Sequence, residues 1–382
     1  MTQPLKGTLV LDLTHVLAGP FAAKTLGDLG ARVIKVEPPG RGDDARAFPP
    51  FKGEKSAYFA AINHGKASIA LDLEEDADRA TFDRLLARAD VLLENFRPGV
   101  LERLGYGWAS LNQRHPSLIL GSVSGYGQTG PDAKRPAYDV IVQARGGVMS
   151  LTGEAAHAPV RAGAAIGDIA AGMYLAQGVL AALFDRTSTG KGRRIDISML
   201  DCQVAMLDHA VAMASATGTV PGPTGARHPA VAPADAFQAS DGAFVITAGN
   251  DALFETLCLT LDLPLADDPR FATNRARVDN ARLLKRLIEA VTLGATRGHW
   301  IAKLTAAGVP VARMQDIGEV LKDPQIAARN MIVDVLDRNG RPAFKAAGNP
   351  IKLSDAEDRT TRGPAPDLDG NRGEILRWLD GA

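Results

Sequence analysis

The stretch Thr8–Val36, TLVLDLTHVLAGPFAAKTLGDLGARVIKV, decides the fold. Thr8 to Leu13 is an apolar run with β-branched residues, the pattern of a strand. Pro20 to Leu29 has helical spacing, and Gly30 is placed to close that helix in the left-handed conformation. Ala31 to Val36 is a second strand, and Pro38-Pro39 stops regular structure behind it. Strand, short helix and strand make a βαβ unit, which implies parallel strands with the helix on one face.

The alternation continues outward from this unit, which makes the fold class α/β. Strands are expected at 68–73, 91–95, 118–122 and 194–197, and helices at 76–89, 99–104, 140–149 and from Met199 to about Met213. Asp168 opens an apolar helix. Its longest apolar stretch, Ile169 to Phe184, contains Gly172, Gln177 and Gly178 and falls short of the ~20 residues of a membrane span, so a buried helix is expected. Residues 215–235 are rich in Gly, Pro, Ala and Thr and read as a linker. Beyond it come a hairpin at 236–247 turned at Asp241-Gly242, helices near 252–261, 280–292 and 297–307, and a second hairpin from 331–335 and 343–344. This is the pattern of a smaller domain.

The 382 residues carry 43 Lys plus Arg against 44 Asp plus Glu, a net charge of -1. No charge excess argues for a nucleic-acid or membrane-surface partner. Cys202 and Cys258 form no CxxC pair, and no Cys/His cluster has metal-ligand spacing. Two buried thiols in a reducing compartment and no metal are expected. The N-terminus lacks a basic stretch followed by an apolar core, so a cytoplasmic location is expected.

Two glycine-rich segments follow strands: EPPGRGDDAR at 37–46 and GSVSGYGQTGP at 121–131. The first is not GxGxxG and does not open a helix, so a dinucleotide fingerprint fails there, and no GxxxxGK[ST] exists, which excludes a P-loop. They are either tight turns at strand ends or a cleft where backbone approaches a ligand. Asp168 stands in GAAIGDIAAGMY. An Asp before an apolar helix is ordinarily an N-cap. That reading is compatible with a nucleophile, because helix N–H groups and the dipole favour the ionised carboxylate that covalent catalysis requires. Gly163 and Gly167 would let an acyl group approach it. His15, at a strand end in THVLAGP, is more ordinarily a packing or hydrogen-bonding residue than a base. HExxH and GxSxG are both absent, which argues against a zincin or a serine hydrolase.

Seven segments in order resemble the class III CoA-transferases, the formyl-CoA transferase and carnitine CoA-transferase family. They are LDLTHVLAGPFAAKTLGDLGARVIKVEPPGRGDD, NHGKASIALDL, DVLLENFRPGVLERLG, SVSGYGQTGP, PAYDVIVQA, GDIAAGMY and GRRIDISMLD. The resemblance implies Asp168 as the nucleophile that carries the acyl group and then CoA. It implies a CoA site lined by His15, Val16, Leu17 and Ala18, with Leu71, Asp72, Asn95, Phe96 and Arg103 toward nucleotide and phosphates. Pro136, Tyr138 and Asp139 would border the pantetheine channel, and Met199 would lie near Asp168. CoA and acyl-CoA would be substrates rather than permanently bound cofactors.

Leu17 stands where formyl-CoA transferases have Gln, Pro38 where they have Arg, and their glycine-rich loop over the site is absent. The stretch RHPAVAPADAFQASDGAFVITAGND at 227–251 looks more like members that transfer CoA from acetyl-CoA to oxalate, or act on glutarate, itaconate or other dicarboxylates. Arg227 and His228 would hold a second carboxylate or simply fix the linker. The implied architecture is a Rossmann-like large domain plus a small α+β domain in an interlinked ring homodimer. On that reading residues 1–214 begin the large domain, 236–325 form the small one and 326–382 return to the large one. A racemase on the same fold needs His where Tyr138 stands, and a phenol of reference pKa ~10 is a poor base near neutrality. A non-catalytic acyl-CoA binder is the other alternative, against which the retained Asp168 argues.

Overall fold

The computed structural model describes residues 3–381, which divide into two compact units. The first comprises residues up to 149, 161–219 and from 323 onward. Its centre is a sheet of six strands: β1 (Leu9–Asp12), β2 (Arg32–Glu37), β3 (Ala67–Ala70), β4 (Val91–Glu94), β5 (Ile119–Ser124) and β6 (Arg194–Ser198). The spatial order is β3-β2-β1-β4-β5-β6, and every neighbouring pair is parallel. Strand order therefore reverses between β1 and β4, and a crevice opens at the carboxyl ends of strands on either side of such a switch point.

β1 and β4 are buried on both faces, as the short apolar runs require when helices cover a parallel sheet. Leu11, Ile34, Ile69 and Leu92 face one layer, which contains Phe82 and the closing helix residues Ile375 and Leu379. Val10, Val33, Leu93 and Ile119 face the other, which contains the helices that carry the candidate site.

Those helices are α1 (Ala18–Asp28), α3 (Asp139–Arg145), α4 (Ile166–Thr189) and α5 (Met199–Met206), while α2 (Ala57–Asn63) packs in a separate cluster through Phe59 and Ala60. The helix expected at 140–149 is broken, because Gly147 takes φ +90° and a separate turn of helix starts at Val148. The helix expected from Met199 to about Met213 is likewise two, α5 and Asp208–Thr217, divided at Leu207. α4 is 24 residues long and, by length and composition, apolar enough to cross a membrane. Only one of its faces is buried, through Ala171, Leu175 and Val179 among others, while Met173 and Phe184 are 50% and 80% exposed. It is thus less completely buried than its apolar sequence predicts.

The second unit, residues 150–160 and 220–322, has a three-stranded antiparallel sheet in which Gly242–Thr247 lies between Ala234–Ala239 and Val311–Arg313. Helices Asp251–Leu261, Ala281–Thr292 and Arg297–Ala306 cover it around Phe237, Phe244, Phe254 and Trp300. The hairpin turns at Ser240-Asp241, one residue earlier than expected, because Gly242 already pairs with Ala239 in the ladder.

Candidate functional site

The turn after β1 is built on buried charge. Asp12 accepts from the Thr14 backbone N–H and hydroxyl and pairs with Lys66 at 2.8 Å, all at a fully buried position. Lys35, equally buried, donates to the Thr14 carbonyl at 2.6 Å and pairs with Asp43 at 2.9 Å. His15 and Asn95, which follow β1 and β4, exchange hydrogen bonds across the switch point: His15 N–H to Asn95 Oδ1 and Asn95 Nδ2 to the His15 carbonyl, both 2.8 Å. Burial, followed by the Lys35 charge, lowers the His15 pKa, so its imidazole is neutral near pH 7. Its ring lies 5.9 Å from that of Phe96. Val16 takes φ +66° and gives its N–H to Asp43 Oδ1 at 3.0 Å.

Asp168 lies on the first turn of α4, but it is not the N-cap expected from sequence. Ala165 holds that position and has no side chain to cap with. The capping oxygen comes from Asp139, whose Oδ1 accepts from the Gly167 N–H at 2.8 Å. Gln143 secures this carboxylate with a 2.8 Å bond from Nε2 to its Oδ2 and, through its own Oε1, accepts from Ala162 N–H. Asp168 itself is half-buried, and its carboxylate accepts no hydrogen bond among the described residues. Burial, with Asp139 as second cause, raises its pKa to about 7. The expectation that helix N–H groups hold it ionised is thus corrected: the Gly167 N–H already serves Asp139, and desolvation prevails.

Gly167 also has a different role from the one sequence suggested. A Cβ there would stand 2.8 Å from Val142 Cγ2 and 2.9 Å from Asp139 Oδ1, so glycine lets α3 pack against α4 rather than admitting a ligand. Gly163 faces open space.

Tyr58 on α2 escaped sequence reasoning. Burial and then the Asp168 charge push its phenol up to about 12. Its one sequence signal is a polar aromatic in the otherwise apolar stretch 57–62. Asp43 was legible only as part of a glycine-rich loop.

The sheet collects most of the other nominated residues at its carboxyl edge. Leu17 and Ala18 start α1, and Leu71 and Asp72 follow β3. Leu71 is core, and Asp72 accepts from Glu74 N–H and has no charge partner among the described residues. Asn95 and Phe96 follow β4, where Glu94 Oε2 accepts from the Phe96 N–H at 2.8 Å. Arg103 is exposed at the end of a one-turn helix. Pro136 and Tyr138 lie exposed in the segment leading from β5 to α3, and Met199 is buried directly after β6. Arg227 and His228 belong to the second unit. The Arg227 guanidinium donates to the His228 carbonyl at 3.4 Å, and His228 Nδ1 accepts from the Ala230 N–H at 3.1 Å. Cys202 and Cys258 are free and buried. Among the described residues no three His, Cys, Asp or Glu side chains converge as a metal site requires.

Chemically, this arrangement offers a lightly solvated carboxylate that titrates near neutrality, without a strong hydrogen bond to weaken its nucleophilicity. The chain matches the profile of CoA-transferase family III over residues 5–372. It is 47% identical to the acetyl-CoA:oxalate CoA-transferase of Acetobacter aceti, over 98% of this chain and 95% of that protein. It is 38% identical to the succinate–glutarate CoA-transferase of Agrobacterium fabrum, over 99% of this chain and 96% of that protein. A crystal structure of a CAIB/BAIF family protein from Brucella suis matches with a TM-score of 0.88 and 40% identity, and each chain is covered over 100% of its length.

Proposed function

From the premise that this chain belongs to CoA-transferase family III, we propose that it moves CoA from acetyl-CoA or another short acyl-CoA to oxalate, with Asp168 as the nucleophile. The observation that carries this reading is the half-buried Asp168 carboxylate on the first turn of α4, titrating near 7 and accepting no hydrogen bond among the described residues.

Ionised Asp168 attacks the thioester carbonyl, and the C–S bond breaks to give an aspartyl–acyl anhydride and CoA thiolate. The thiolate attacks the aspartyl carbonyl, releases the first acid and leaves CoA on Asp168 as a thioester. The acceptor carboxylate then displaces CoA to form a second anhydride. Thiolate attack on the acceptor carbonyl produces the new acyl-CoA and regenerates the carboxylate. Each step exchanges one activated acyl bond for another, so no nucleotide hydrolysis is required. The enzyme's work is to stabilise oxyanions and keep water from the anhydrides; one oxyanion donor is worth about 3 kcal/mol. The N–H groups of His15, Val16 and Gly167 already have acceptors, whereas those of Leu17 and Ala18 at the start of α1 have none among the described residues, which makes them the donors of choice.

CoA would lie along the carboxyl edge between the β1 and β4 turns, in reach of Asn95, Phe96 and Arg103. The reading extends to a large Rossmann-like and a small domain in an interlinked homodimer, and to a cytoplasmic location. A dicarboxylate acceptor such as glutarate is the second reading, favoured by the 38% identity to a glutarate enzyme.

The test is intact-protein mass spectrometry after mixing with acetyl-CoA and oxalate, with hydroxylamine trapping, on wild type and Asp168→Ala. A hydroxylamine-sensitive adduct with oxalyl-CoA formed is the expected result. An adduct without oxalyl-CoA moves the acceptor to a dicarboxylate. Full turnover by Asp168→Ala would overturn the mechanism.

A further inference from the structure

Val16 is β-branched and sits at φ +66°, where a Cβ crowds the backbone and such residues are genuine outliers. A conformation of this kind persists only where its surroundings over-determine it. Two clamps hold this turn. Asn95 takes the peptide groups of His15 from the β4 side. Asp43, from the loop after β2, takes the Val16 N–H at 3.0 Å and the Ala45 N–H at 2.9 Å on the same oxygen.

Asp43 is in turn fixed from two directions. Its second oxygen pairs with Lys35 at 2.9 Å, both side chains being fully buried. Its own N–H donates to Glu37 Oε2 at 3.0 Å, and Glu37 is locked by Arg46 Nε and Nη2 at 2.7 and 2.6 Å. Against the cost of burial, Lys35 and the two N–H groups hold the Asp43 carboxyl below its ordinary value, so it stays an anion and an acceptor. The segment this anion grips runs straight into α1, which no side chain caps among the described residues. The N–H groups of Leu17 and Ala18 find no acceptor among the described residues. Both residues are buried, and an unpaired buried N–H is costly unless something arrives to accept from it.

We propose that Asp43 is a positioning residue for the transfer reaction: it holds Val16 in the left-handed region so that the Leu17 and Ala18 N–H groups point at the oxygen of the bound acyl group. The proposal rests on the acyl-transfer reading of Asp168. It differs from a plain structural ion pair in one respect: the need for Asp43 depends on what stands at position 16. Glycine adopts φ +66° without strain and needs less holding.

The experiment is a double-mutant cycle of Asp43→Ala and Val16→Gly, read as the acylation rate of Asp168 at saturating acetyl-CoA and as melting temperature. In the native background Asp43→Ala is expected to slow acylation at least tenfold. In the Val16→Gly background the same change is expected to cost only a few-fold, and to lower the melting temperature less. Equal losses in both backgrounds would overturn the proposal, as would a folded Asp43→Ala that acylates at the wild-type rate. Should Asp43→Ala alone not fold, the pair folds if Asp43 holds the turn, and a pair that also fails to fold overturns it. A wild-type enzyme that forms no adduct sinks the functional reading instead, and the melting-temperature coupling then still decides the role of Asp43.

Discussion

At the scale of single residues, the site turns on the protonation of one carboxylate. Asp168 is raised from 3.8 to about 7 by burial first and Asp139 second. Acylation needs the ionised form, so its rate is expected to rise with pH and level off above about 7. Asp139→Asn keeps an oxygen for the Gly167 N–H but removes the negative charge. The midpoint of the pH–rate profile should therefore fall below 7, and an unmoved midpoint would contradict the coupling. The sign of the stability effect follows from linkage. The folded state binds the Asp168 proton more tightly than the unfolded chain does. The ionised carboxylate thus begins to cost stability above about pH 4, and the cost is complete above about 7. Asp168→Asn should abolish acylation and raise the melting temperature by about 2–4 °C per kcal/mol recovered at pH 8, with no gain at pH 4. Equal gains at both pH values would mean that the stabilisation is not electrostatic. None of this was legible in sequence beyond the carboxylate itself. Asp139 and Asp168 are 29 positions apart, and only the packing of α3 on α4 makes one the cap beside the other.

At the scale of elements, α1 and α4 bring the proposed oxyanion donors and the proposed nucleophile together. Their closeness depends on Gly172: a Cβ there would stand 2.6 Å from the Ala18 carbonyl oxygen and 3.1 Å from Phe21. Helix propensity alone predicts that Gly172→Ala stabilises by up to ~1 kcal/mol. Overpacking against backbone, which cannot rotate away, costs about 1–3 kcal/mol. The second effect should win, with a net loss of stability in urea denaturation and slower acylation as α4 shifts off α1. A stabilised variant of normal rate would show that the helices accommodate the methyl group. Here the sequence was informative about each helix and silent about the pair. The apolar stretch from Ile169 announces a helix, but the glycine that decides its distance from α1 looks in sequence like a mere interruption.

At the scale of the whole molecule, the two ends of the chain build one unit. The closing helix Arg372–Asp380 places Ile375 and Leu379 in the layer that contains Leu11, Ile69 and Phe82. Arg88 donates to the Trp378 and Leu379 carbonyls at 2.7 and 2.8 Å, and Arg32 and Arg88 lie 4.5 and 4.7 Å from the Trp378 ring centre. Ile375 is fully buried, so Ile375→Ala should cost about 2–5 kcal/mol, as for any core aliphatic. Chemical denaturation would measure it, and a loss under about 1 kcal/mol would mean that the returning segment is dispensable to the first unit.

The sequence by itself determined the parallel α/β architecture, because alternating short apolar runs and amphipathic stretches admit few other arrangements, and it singled out Asp168 through the order of its motifs. The tertiary structure alone decided what surrounds that carboxylate. The strained Val16 turn, the Asp12–Lys35–Asp43–Lys66 charge cluster, the borrowed cap from Asp139 and the nearby Tyr58 all join segments distant in the chain. Periodicity reports which face of an element is apolar. Burial of charge and the pairing of hydrogen-bond partners are settled only when the elements meet.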